Sequence, residues 1–224
     1  MKAKTLNQPP PATRRILLVD DHPVMREGIA RWIEREPGLE VCGEASNAAE
    51  GLQAVERLEP DLVVTDISLN SRSGLELIKD IRVLKPSLPV LVLSMHDEEV
   101  YAERAMRAGA QGYIMKEAGG ESLLQAVRQV LAGQVYFSSK VAARLLAVMT
   151  GGKEGDSNSP FGKLTDREFE IFHLVGNGKS TREIARQLSI SPKTVDAHRG
   201  NIKKKLGLAS ANELFRHAVR WVES

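Results

Sequence analysis

Five residues in this chain stand where chemistry is possible, and each follows a short apolar run. ILLVDD ends in Asp20 and Asp21, LVVTD in Asp66, VLVLS in Ser94 and GYIMK in Lys116. The three carboxylates are hard oxygen donors of the kind Mg²⁺ favours, a set usually completed by waters and phosphate oxygens. A cation would also make so dense a negative cluster tolerable. Asp66 could then attack an incoming phosphoryl group and become an aspartyl-phosphate, a known form of covalent catalysis by carboxylates. Charge in phosphoryl transfer spreads over the equatorial oxygens, so positioning and neutralisation dominate. Lys116 offers a mobile point charge to one oxygen, and the Ser94 hydroxyl offers a donor to another.

Residues so far apart in sequence meet only if the apolar runs are neighbouring strands. Short apolar runs separated by helix-like stretches read as strands of a parallel sheet, and ligands bind outside the carboxyl ends of such strands. The predicted strands are 15–20, 39–45, 62–66, 90–94 and 112–115. Between them lie a helix carrying Val24, Ile29, Trp32 and Ile33, then helices over 48–58, 75–84, 98–108 and 122–132. Five such alternations predict a three-layer α/β domain with right-handed crossovers. A lone Asp or Ser at a strand end is ordinarily a loop residue or a cap; the joint occurrence in chain order carries the weight. His96, two residues past Ser94, is read as a surface histidine outside the chemistry. The only cysteine, Cys42, reads as a small core residue, so no intrachain disulfide is possible and a reducing compartment is implied.

No apolar run approaches the roughly 18 residues needed to span a bilayer. The first 13 residues carry Pro9, Pro10 and Pro11 without an apolar signal core and read as a disordered leader. Together these point to a cytoplasmic protein without a membrane partner. The net charge of +2 conceals an asymmetry: residues 161–224 carry 12 Lys and Arg against 7 Asp and Glu, while the rest of the chain carries 19 against 22. A basic tail beside an acidic body suggests that the tail meets a polyanion. SSKVAARLLAV (138–148) has helical periodicity, and TGGKEGDSNSP (150–160) reads as a flexible linker.

From Leu164 the pattern is helical throughout. LTDRE opens with a capping box, Thr165 as N-cap and Glu168 at N3, and STRE repeats it with Ser180 and Glu183. Ser191 before Pro192 starts a third helix. Only a short turn around Ser189 and Ile190 separates the last two, the geometry of a helix-turn-helix. In PKTVDAHRGNIKKKLG, Val195, Ile202 and Leu206 share one face, while Lys193, Thr194, Asp196, Ala197, Arg199, Gly200, Lys203 and Lys204 share the other. A helix apolar on one side and basic on the other suits the major groove of double-stranded DNA. Gly200 costs about 1 kcal/mol against Ala in a helix interior, so it is either a point of close approach to DNA or an incidental surface glycine.

ILLVDD, LVVTDISL, VLVLSMHDE and AGAQGYIMKE resemble the receiver domain of two-component response regulators over roughly 14–135. That resemblance implies a flavodoxin-like, doubly wound sheet of order 2-1-3-4-5 and phosphorylation of Asp66 by a sensor histidine kinase. It implies that Asp20, Asp21 and Asp66 hold Mg²⁺ with the backbone of Ser68. It assigns Ser94 as the switch hydroxyl, Lys116 as the phosphate-contacting lysine and Tyr113 as the aromatic that changes rotamer on activation. The chain departs from the pattern at Asn70 and Glu117, where receivers commonly carry proline. Both bear on loop geometry and phosphoryl lifetime rather than on the site itself. The tail resembles the LuxR-type four-helix DNA-binding domain over about 162–222, with Asn212–Val222 as its dimerisation helix. By position, Asp196, Ala197 and Gly200 would face bases, and Lys193, Thr194 and Lys204 would contact phosphates.

Together these features resemble the NarL/FixJ class: a receiver at 14–135, a linker at 136–160 and a helix-turn-helix domain at 161–224. Phosphorylation would draw Ser94 and Tyr113 inward and shift dimerisation and DNA binding. Such a chain is not an enzyme beyond gaining and losing its own phosphoryl group. Two alternatives share its features. An aspartate-nucleophile phosphatase usually has a second acid two residues past its nucleophile, where this chain has Ser68. A constitutive DNA-binding protein would use the receiver only as a dimerisation scaffold.

Overall fold

The computed structural model of the chain describes residues 13–69, 72–143 and 163–222. The leader, Asn70, the linker at 150–160 and the second half of the helix expected at 138–148 lie outside the described residues. Five parallel strands, β1 (Arg14–Val19), β2 (Leu39–Ala45), β3 (Leu62–Thr65), β4 (Val90–Ser94) and β5 (Gly112–Met115), form one sheet in the order β2-β1-β3-β4-β5. This is the flavodoxin-like order that the sequence implied. Between and after the strands run α1 (Pro23–Glu34), α2 (Ala48–Leu58), α3 (Gly74–Leu84), α4 (Glu98–Ala108) and α5 (Gly119–Leu131).

The apolar runs of β1, β3, β4 and β5 follow from cover on both faces, whereas the edge strand β2 (LEVCGEA) is mostly half-exposed. Ile16 and Leu18 of β1 pack with Ile29 and Ile33 of α1 and Leu123 and Val127 of α5. Leu17 and Val19 join the opposite layer, with Val55 of α2, Ile78 of α3 and Ala105 of α4. Side-chain caps start α2 to α4 close to the strand ends: Asn47 accepts from Glu50 N–H, Ser73 from Leu75 N–H and Asp97 from Glu99 N–H. Gly74 opens α3 directly beneath the Asp66 carbonyl, where a Cβ would lie 1.9 Å from that oxygen. Only glycine lets α3 come so near the functional loop.

Details of the elements that the sequence pattern leaves open have identifiable reasons. Strand β3 stops at Thr65, so Asp66 already belongs to the loop. Helix α5 starts at Gly119 rather than Ser122, because Lys116–Ala118 form a 3₁₀ turn leading into it. In α1, Val24 faces solvent at 85% exposure, beside Pro23 at the first helical position, and so belongs to no core. Trp32 is also partly exposed and lies over Gly120, whose absent side chain makes room for the indole. Past α5, Tyr136 pairs with Gly112 on the edge of β5, and residues 139–143 are helical.

The C-terminal part consists of α6 (Asp166–Gly176), α7 (Thr181–Gln187), α8 (Pro192–Leu206) and α9 (Ala211–Val222). Both capping boxes form, and Ser191 caps α8 with Pro192 at the first position. Ser189 turns the chain between α7 and α8 in the left-handed region at φ 51°. Leu188, Val195 and Ile202 are buried beneath that turn, and Leu214 and Ala218 seat α9. Gly176 of α6 lets α9 approach, since a Cβ there would lie 2.6 Å from the Ala218 carbonyl.

Candidate functional site

The carboxyl ends of β1, β3, β4 and β5 do bring the acidic residues, Ser94 and Lys116 together. Lys116 Nζ lies 2.7 Å from Asp66 Oδ2 and 2.7 Å from Asp20 Oδ2, with all three side chains buried. Burial alone would depress the Lys116 ammonium, but Asp66 and Asp20 outweigh it and hold its pKa above the ordinary value. Asp66 Oδ1 accepts from the backbone N–H of Ile67 at 2.6 Å and of Ser68 at 3.4 Å. Asp20 Oδ1 accepts from His22 N–H at 2.8 Å. One carboxylate is thus fixed by a cation and by backbone donors, in a pocket that excludes most water.

The same pocket fits a divalent cation. Ligand atoms of Asp20, Asp21, His22 and Asp66 all lie within 4.8 Å of one another. Asp21 Oδ1 is buried without a hydrogen-bond partner, although His22 Nδ1 is 2.8 Å away. Burial, opposed by His22 and reinforced by Asp66 and Asp20, raises the Asp21 pKa above the usual carboxylate range. A bound cation would supply the opposing charge that burial makes the Asp21 carboxylate need. His22 sits in the cluster because it directly follows the acidic pair, a placement visible in the sequence as DDH.

Ser94 and Tyr113 are both buried, so the aromatic is already turned inside. Their link is His96, which reads in the sequence as a surface histidine but is half-buried beside the pocket. Its N–H donates to Ser94 Oγ at 3.3 Å, and its carbonyl accepts from Tyr113 Oη at 2.8 Å. Burial raises the Tyr113 pKa far above the phenolic range, so it stays a hydrogen-bond donor. The His96 ring contacts Ser68 Oγ at 2.8 Å through Nε2 and lies over Tyr101, centroids 4.7 Å apart.

On the helical side, Lys193, Thr194, Asp196, Ala197 and Lys204 are exposed on α8 and Gly200 partly so. Two of these already have internal partners. Thr194 shares a 2.7 Å hydrogen bond with the capping Ser191 hydroxyl, and Asp196 accepts from Thr181 Oγ1 at 3.4 Å. Two neighbouring cations are structural: Arg199 donates to Thr181 at 2.7 Å, and Lys205 binds Glu168 of α6 at 2.6 Å.

The two parts are docked through α6. Asp166, at the first helical position, is held by Lys79 of α3 at 2.7 Å and by Arg104 of α4 at 3.1 Å. The Arg104 guanidinium lies 3.9 Å over the Phe169 ring. Tyr101 of α4 meets Phe169 and His173 edge-on. Ser68 Oγ donates to Glu170 Oε1 at 2.7 Å, joining the functional loop to α6. None of these pairs could be anticipated from local sequence.

Known proteins agree with this architecture. Residues 16–128 match the response regulator receiver domain, and residues 162–218 match the bacterial regulatory proteins of the luxR family. The chain is 37% identical to the response regulator GacA of Pseudomonas aeruginosa, across 92% of this chain and 95% of that one. It is 36% identical to the oxygen regulatory protein NreC of Staphylococcus carnosus, across 92% and 97%. A solved two-component response regulator of the LuxR family from Aurantimonas sp. SI85-9A1 aligns with a TM-score of 0.57 and 37% identity, over 62% of this chain and 99% of that one. The chain therefore belongs to the two-component response regulators of the NarL/FixJ class, DNA-binding transcription regulators with a receiver and a luxR-type helix-turn-helix domain. Among the described residues, no helix is long and apolar enough to cross a membrane.

Proposed function

We propose that Asp66 is the residue that takes a phosphoryl group from a sensor histidine kinase, within a cytoplasmic signalling pair. The observation that carries this reading is the shared lysine: Lys116 bridges Asp66 and Asp20 at 2.7 Å in a buried pocket. An Asp66 carboxylate oxygen would bond to phosphorus as the phosphorus–nitrogen bond of the donor phosphohistidine breaks, and the imidazole leaves with the electron pair. Asp20, Asp21, Asp66 and the Ser68 backbone would hold Mg²⁺, which supplies charge neutralisation for the phosphoryl oxygens. Lys116 would move its ammonium to one phosphoryl oxygen and Ser94 would donate to another. Tyr113, already inside, would keep the space beside Ser94 filled, so activation here is a tightening of the inward state.

The receiver (14–135) would then bias how the DNA-binding domain (161–224) pairs with a second copy, across the linker at 136–160. Lys193 and Lys204 would contact DNA phosphates with Thr194, while Asp196, Ala197 and Gly200 face base edges. Supporting this, α8 keeps Lys193, Asp196, Ala197 and Lys204 exposed above a buried Val195 and Ile202. The phosphatase alternative lacks its second acid, because Ser68 stands two residues after Asp66. Asp66→Asn should abolish phosphate uptake from acetyl phosphate, followed by peptide mapping of the labelled chain. Phosphate recovered on another residue would overturn the assignment.

A further inference from the structure

The docked helix reaches the phosphoacceptor loop itself. Ser68 donates its N–H to Asp66 Oδ1 and its hydroxyl to Glu170 Oε1. Glu170 is 1% exposed, and its second oxygen accepts from Arg167 at 2.7 Å. The single Ser68 hydroxyl proton is therefore committed to Glu170, so the 2.8 Å contact with His96 Nε2 requires that nitrogen to be the donor. The backbone of His96 is bonded in turn to Ser94 and Tyr113. One hydrogen-bond chain thus joins Asp66 and both switch residues to a buried carboxylate of the DNA-binding domain. Meanwhile Lys193, Thr194, Asp196 and Ala197 stay exposed. Docking does not mask that part of the reading face; it holds the loop.

We propose that Glu170 is a positioning residue of the phosphoacceptor site, supplied by the DNA-binding domain, and that docking and phosphoryl loading oppose each other through Ser68. The inference rests on Asp66 as the phosphoacceptor. Loading needs the Ser68 backbone to turn to a cation and Ser94 to turn to a phosphoryl oxygen. Each movement pulls on a group that the docked chain of bonds holds fixed. A phosphoryl dianion also repels a carboxylate buried nearby, where screening is weak. By linkage, whatever loading does to docking, docking does to loading by the same factor.

The test uses the full chain, acetyl phosphate as a donor that needs no kinase, and Mg²⁺ titration. Ser68→Ala, which keeps the backbone and leaves the DNA-binding domain intact, should raise the rate of uptake at Asp66 and lower the half-saturating Mg²⁺ concentration. The expected effect is roughly tenfold, the size of one hydrogen bond to a charged group. Glu170→Ala should do the same, and the double variant should gain no more than the better single one. Ser68→Ala should also speed hydrogen exchange in α6 while α8 is unchanged. Because Glu170→Ala leaves the buried Arg167 without its carboxylate partner and can unfold the domain, Ser68→Ala alone decides. Uptake that is unchanged or slower in Ser68→Ala, or α6 exchange that does not move, would overturn the inference. Absence of label from Asp66 in the unaltered chain would instead defeat the phosphoacceptor reading on which it stands.

Discussion

Two side chains at the docking surface, Tyr101 and His173, carry costs that oppose docking. Tyr101 Oη is fully buried with no hydrogen-bond partner, and burial drives its pKa well above the phenolic value. Such an orphan costs about 1–3 kcal/mol. Tyr101→Phe keeps the ring against Phe169 and His173 and removes the orphan, so docking should tighten. Slower phosphate uptake and slower hydrogen exchange in α6 are expected; faster uptake would contradict this. His173 carries a second cost. Burial first, and the neighbouring His96 next, depress its pKa from 6.5 to about 4, against a weaker opposing pull from Asp97. Its Nδ1 is buried without a partner. The docked state thus binds the neutral imidazole, whereas a released imidazole takes a proton near its ordinary pKa. Docking stability is complete above pH 6.5 and is lost as pH falls toward about 4. Small-angle scattering across that range should show opening on acidification, and His173→Phe should flatten the response.

At the scale of elements, glycines and caps fix what the functional residues can reach. Gly74 brings α3 under Asp66, and the caps Ser73, Asp97 and Ser191 start helices where the loops end. Gly200 differs from Gly74 in meeting nothing: a Cβ there would have no neighbour within 4 Å. Gly200→Ala should therefore stabilise the free protein by about 1 kcal/mol. If α8 enters the groove by this face, the same change should weaken DNA binding, and a thermal melt with a binding titration separates the two effects. Affinity that stays unchanged would make Gly200 an incidental surface residue. These elements were largely legible in the sequence because their signals are local. Apolar runs bounded by Pro60, Pro86 and polar caps gave β3, β4 and their helices, and the two S/T-x-x-E boxes gave α6 and α7. Local pattern fell short where tertiary fit decided the outcome: α5 starts ahead of Ser122 through a 3₁₀ turn, and His96 lies half-buried beside the pocket.

Across the whole molecule, the buried pocket and the docked helix form one system. Lys79 and Arg104, from two receiver helices, close on Asp166, while Ser68 and His96 reach Glu170 and His173. At that interface, charge pairing and two orphaned polar atoms pull against each other. The pocket could be read from sequence because each member ends an apolar run. The interface could not, since Ser68 and Glu170 stand 102 positions apart and nothing local marks either as a contact residue. His96 escaped for a related reason: its backbone, not its side-chain type, ties Ser94 to Tyr113. The most direct test of the central claim is a crystal structure of the full chain with Mg²⁺ and beryllofluoride. Beryllofluoride bonded through beryllium to an Asp66 carboxylate oxygen, with the metal on Asp20, Asp21, Asp66 and the Ser68 backbone, is the predicted result. An ion bound away from those groups, or Asp66 unmodified while the ligand sits elsewhere, would contradict it.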